Sequence, residues 1–240
     1  MGSPQIPIPD WRRGVQGLSA EFQRGSIPQD TILKFRKGEI IFSQGDPGDC
    51  WFEVISGTVR TCHFHIDGHR QLTGFFYQGD VFGVEYGARD AAAEAVTNTI
   101  LTRRSALNGD PDSLGQNRAL ERALDSANQC IFLLGRRNAN ERVAAFLLIA
   151  AKRLSALGSI PLPMTRGDIA DHLGLTIHTV SRTISGFVRQ GLIELEGPQL
   201  CRLVDLDGLR AIAGEEMGVA IDNLRAMQPR RSFTGQGVGA

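Results

Sequence analysis

The chain has 240 residues, 42% of them hydrophobic, enough for one large or two modest domains with cores of their own. Its 26 basic residues balance 26 acidic ones, which excludes a protein-wide positive field as the basis for any nucleic-acid binding. No run approaches the ~20 apolar residues that cross a bilayer and no leader pattern opens the chain, so a cytoplasmic protein with no membrane partner is expected.

Residues 1–27, rich in Pro, Gly and polar side chains, read as a loosely attached arm with a short amphipathic stretch around Trp11–Phe22. From residue 28 to 110 the chain breaks into short Val, Ile, Phe and Thr runs punctuated by glycines such as Gly38, Gly45, Gly57, Gly68, Gly79 and Gly83. Short strands with turn signals at this spacing predict an antiparallel barrel or sandwich. The clearest hairpin runs Thr58–Ile66, Asp67-Gly68, His69–Phe76, because Asp-Gly suits a two-residue primed turn. That register sets His65 opposite Arg70 and Ile66 opposite His69. It places His63 and His65 on one face and His69 on the other, with Cys62, Phe64 and Ile66 pointing inward.

After Asp110-Pro111 the period becomes helical. Leu120, Leu124, Ala127, Ile131 and Leu134 recur at intervals of four and three, a heptad seam within residues 111–139 that predicts pairing of two identical chains. A second amphipathic helix follows, with Val143, Phe146, Leu147, Ala150 and Leu154 on one face.

The strongest short signal is Thr165–Thr176, within residues 140–217. Thr165 can cap a helix and Asp168 can return the bond, a capping-box variant; Gly174 permits a sharp turn and Thr176 can cap the next helix. That next helix, about Ile177 to Gln190, has Val180, Ile184, Phe187 and Val188 at core spacing, and Ile177, His178, Ser181, Arg182 and Ser185 at or near the opposite face. Leu192–Glu196, Gly197-Pro198 and Gln199–Val204 predict a hairpin behind it. Helix, turn, helix and wing in unbroken order point to double-stranded DNA. The forked Arg182 suits the two major-groove acceptors of guanine, with Ile177, His178 and Ser181 beside it at the bases. Thr165, Arg166, Thr176 and Thr179 suit phosphates. Residues 140–217 hold eight Lys/Arg against nine Asp/Glu, so the basic groups must be sorted onto one face. Residues 218–240 form a tail.

The whole arrangement resembles the CRP/FNR superfamily of regulators over roughly residues 28–212. The likeness is carried by Lys37–Phe42, Gly45-Asp46, Phe52–Arg60, Asp67–Gln71, Gly79–Gly83 and Leu175–Arg182. Leu133–Arg137 and Glu141–Leu148 look like the FixK group. The resemblance implies an α+β fold: an antiparallel β-roll of the double-stranded β-helix type, a long dimerisation helix and a winged helix-turn-helix. It further implies a homodimer that binds a TTGA-type palindrome and positions RNA polymerase as an activator of microaerobic or nitrogen-related genes. The chain departs from relatives of other kinds. No cysteine precedes Cys50, so the clustered N-terminal cysteines of iron-sulfur oxygen sensors are missing. Where cyclic-AMP receptors hold the phosphate with Arg-Ser, the corresponding stretch reads about Ala93-Glu94, adding a negative charge and no cation. Neither cofactor is therefore expected. His178 stands where FNR-like helices usually carry Glu, which alters the base it can read.

An effector-dependent regulator with a different ligand is one alternative. From another class, Gly57 followed after five residues by His63-Phe64-His65 matches the start of a cupin metal motif. The expected facing of His69 and the lack of a following Glu speak against a metal there. Haem sensing finds no residue that singles itself out as an axial ligand. Cys50, Cys62, Cys130 and Cys201 lie too far apart for a zinc or dithiol motif. Cys201, in the wing, is a candidate redox site, since an oxidised anionic form would repel DNA phosphates.

Overall fold

The computed structural model describes residues 30–85, 87–105, 113–154, 159–197 and 199–214. The expected arm at 1–27, including Trp11–Phe22, and the tail at 218–240 lie outside the described residues.

Eight strands build the first half. They are β1 Asp30–Phe35, β2 Ile40–Phe42, β3 Cys50–Ser56, β4 Val59–Phe64, β5 Arg70–Phe76, β6 Val81–Phe82, β7 Ala92–Ala95 and β8 Thr99–Ser105. They form two four-stranded sheets, ordered β1-β8-β3-β6 and β2-β7-β4-β5, with antiparallel pairing throughout. Phe42, Phe52, Val54, Val59, Phe82, Ala93 and Leu101 fill the space inside the roll. The rings of Phe42, Phe52 and Phe82 stack with centroids 5.4–6.1 Å apart.

The β4–β5 hairpin keeps the expected register at Val59, Arg60 and Thr61, but after an irregularity between Thr61 and Cys62 it is shifted by one residue next to the turn. Phe64 pairs with Arg70, and the His65 amide donates to the carbonyl of His69 at 2.9 Å. Ile66, Asp67 and Gly68 thus form a three-residue loop, closed by a bond from the Gly68 amide to the His65 carbonyl at 2.9 Å, with Gly68 at φ 84°. This is the turn that places a left-handed glycine third rather than second, so Asp-Gly alone could not fix the register. His65 and His69 therefore share a face. The inward and outward sets are also exchanged: Val59 enters the roll core, whereas Cys62 and partly buried Phe64 pack outward against the helical half, and Ile66 is fully exposed at the tip.

The second half contains α1 Ser113–Leu134, α2 Ala139–Arg153, β9 Ser159–Pro161, α3 Arg166–Leu173, α4 Ile177–Arg189, β10 Ile193–Leu195, β11 Leu200–Leu203 and α5 Leu206–Ala213. Asn138 caps α2 by accepting from the Glu141 amide, and every residue from Val143 to Ala150 is buried. The expected one-sided amphipathic helix is instead the central one, packed against α1, α4, α5 and β9. The wing has three strands in the order β10-β11-β9, the third supplied by Ser159-Ile160-Pro161 upstream. One continuous apolar cluster joins this half to the outer face of β4 and β5 through Cys62, Leu72, Phe75 and Tyr77.

Candidate nucleic-acid interface

Helix α3 begins with the capping box read from the sequence. Thr165 Oγ1 accepts from the Asp168 amide at 3.0 Å, and Asp168 Oδ2 accepts from the Thr165 amide at 3.0 Å and its hydroxyl at 2.8 Å. Gly174 ends α3 in the left-handed region, φ 62°, and turns the chain into α4. Thr176 caps α4 by accepting from the Thr179 amide at 3.1 Å, and the two threonine hydroxyls lie 2.8 Å apart.

Val180, Thr183, Ile184 and Phe187 form the buried face of α4. Val188, expected in the core, is exposed, and Thr183 takes the buried position at i+3 from Val180. The face is narrower than the wide apolar stripe assumed from the sequence. Ile177, His178, Ser181, Arg182 and Ser185 are all exposed, with Thr179 partly so. The helix and its capping threonine thus present an imidazole, hydroxyls and a guanidinium to solvent.

The charge problem is resolved by where the acids point. Asp168 and Asp171 of α3 turn away from α4 toward the roll. Asp168 Oδ1 accepts from Arg60 Nη1 at 2.7 Å and Arg70 Nη2 at 3.0 Å, and Asp171 Oδ2 accepts from Arg70 at 2.5 Å. In the wing, Glu194 and Glu196 are tied to Arg202. Arg182 carries no such bond among the described residues. Burial alone would raise the Asp168 carboxyl, but the Thr165 amide and hydroxyl, with Arg60 and Arg70, hold it below its ordinary value.

The expected phosphate contacts divide. The Thr165 hydroxyl proton is already committed to Asp168, whereas Arg166 is a half-buried guanidinium near Cys201. Thr176 is exposed and Thr179 partly buried at the α4 start. Cys201 itself is fully buried, and burial pushes its thiol up to about 11, so neither oxidant access nor thiolate character supports the redox role expected of it.

On α1, Leu120, Leu124 and Ile131 are 43%, 62% and 67% exposed, and Ala127 is exposed too; Leu134 is partly buried. Phe132, which the heptad reading missed, adds to this bare face, while Leu133 turns into the core. Inside the roll, Glu94 does not bring negative charge: it faces outward and takes both oxygens to Arg60 at 2.8 and 2.9 Å. The roll also holds a cation that the sequence reading overlooked. Buried Arg89 lies 4.4 Å over the Phe42 ring and donates to the carbonyls of Gly83 and Cys50.

Residues 32–106 match the cyclic nucleotide-binding domain family, and residues 141–212 match the Crp-like helix-turn-helix domain family. The chain belongs to the CRP/FNR family of transcription regulators. It is 40% identical over 226 residues to the nitrogen fixation regulation protein FixK of Azorhizobium caulinodans, covering 86% of this chain and 90% of that protein. To the FixK of Rhizobium meliloti it is 34% identical over 182 residues, 75% of this chain and 86% of the relative. The structure of FixK2 from Bradyrhizobium japonicum superposes with a TM-score of 0.70 at 35% identity, over 77% of this chain and 98% of that one. Within the family the chain falls in the FixK-like group.

Proposed function

We propose that this protein is a cytoplasmic, homodimeric activator that reads a TTGA-type palindrome through α4 without a cyclic nucleotide or iron-sulfur cluster, and positions RNA polymerase at nitrogen-related or microaerobic genes. The observation that carries the reading is the uncovered polar face of α4, with Arg182 exposed and, among the described residues, unclaimed by any acid while the acids of α3 are drawn back toward the roll. A second copy laid on the bare face of α1 would set two such helices about one DNA turn, ~34 Å, apart, so that a two-fold protein meets a two-fold site. Ligand independence is supported by Arg89, whose Nη1 and Nη2 are engaged with the backbone carbonyls of Gly83 and Cys50 inside the roll. The gene class rests on the FixK relatives.

Arg182→Ala tests the readout. Specific-site affinity should fall by about 1–3 kcal/mol with discrimination relaxed at one base pair, measured by competition among single-base variants of the site. Equal losses on specific and random DNA would make Arg182 a phosphate contact only.

A further inference from the structure

A small cavity lies where the two halves meet, bounded by β5, α1, α2 and α3. Its volume is about 30 Å3, and Thr73, Ser126, Gln129, Cys130, Phe146 and His172 are among the side chains that line it. A water molecule needs about 10–15 Å3 of such space, so about two fit and a molecule of more than a few heavy atoms does not.

Two acceptors on this lining lack a donor. Gln129 Oε1 is buried and makes no hydrogen bond among the described residues. His172 is buried and neutral, and its single hydrogen bond there runs from Nδ1 to the Leu72 carbonyl at 3.3 Å. With the proton on Nδ1, Nε2 carries a lone pair and can only accept. Buried acceptors in native proteins are almost all paired, either with protein or with ordered water. No bond joins Gln129 to His172 directly, and a molecule that answers both must be small and carry two donors, which describes water. We propose that the cavity binds ordered water, about two molecules, donating to Gln129 Oε1 and His172 Nε2 and so bridging α1 to the helix-turn-helix. The hydroxyls of Thr73 and Ser126 offer further partners on the lining. Burial pushes the Cys130 thiol up, so it stays protonated and can donate weakly beside them. The bonds then run from the Leu72 carbonyl on β5 through His172 on α3 to Gln129 on α1, so that one wet contact ties three parts of the fold together. It does not depend on how α4 reads DNA.

The test uses the full chain. Nitrogen-15 spectra should place the His172 proton on Nδ1 and show Nε2 as a hydrogen-bonded acceptor. A high-resolution crystal structure should show about two waters in the cavity, within about 3 Å of Gln129 Oε1 and His172 Nε2. In Gln129→Met, similar in shape but without the acceptor, the water at residue 129 should be lost while the circular dichroism spectrum and the His172 tautomer stay unchanged. A wild-type cavity that is dry and takes up xenon under pressure, or waters that keep their places in Gln129→Met, would overturn the proposal.

Discussion

Asp168 uses its two oxygens for two different tasks, capping α3 with one and receiving Arg60 and Arg70 from the roll with the other. One turn later His172 is buried between the Phe75 and Phe146 rings, with Nδ1 3.3 Å from the Leu72 carbonyl. Burial holds its imidazole down at about 4, so it is neutral in the folded protein. A depressed folded value means the unfolded chain takes up a proton first as pH falls. The contribution is therefore complete above about pH 6.5 and lost progressively toward pH 4, amounting to about 3 kcal/mol. Denaturant unfolding between pH 7 and 4 should show this slope, and His172→Gln should remove that one-proton component; an identical slope in the variant would show that His172 is not the group responsible.

Among the elements, those built from local rules were legible from the sequence. The capping box spans three residues, and the α4 faces follow from helical spacing, save at the edge where Thr183 and Val188 exchange places. What escaped depended on geometry the composition does not carry. The wing's third strand is only three residues ending in Pro161, and the roll hairpin takes its register from where Gly68 falls in the turn. The seam proposed on α1 rests on a periodicity, to which the structure adds exposure: two leucines and an isoleucine facing water on a 22-residue helix. Because Leu124 touches no core, Leu124→Glu should leave the single chain folded while light scattering reports the mass of one chain, and operator affinity should fall by about a hundredfold as the two half-sites are no longer bound together. A dimeric mass in that variant would place the interface elsewhere.

At the scale of the whole molecule, the roll and the helix-turn-helix are one packed body. The Arg60 and Arg70 bonds to α3 span about a hundred positions in sequence, and Cys62, Leu72, Phe75 and Tyr77 share a cluster with α2, α3 and α4. No local pattern announces such pairings, so the sorting of charge is a property of the tertiary fold and not of the sequence pattern. The docking withdraws the acids of α3 and leaves the polar face of α4 bare, so the protein should be competent for DNA as it stands. The most direct test is fluorescence anisotropy of the purified, effector-free chain on a duplex with two inverted TTGA half-sites and on a scrambled duplex, across a salt series. Preference of about a thousandfold or more for the palindrome, with affinity falling steeply as salt rises, is the predicted result. Equal, weak binding to both duplexes would contradict it.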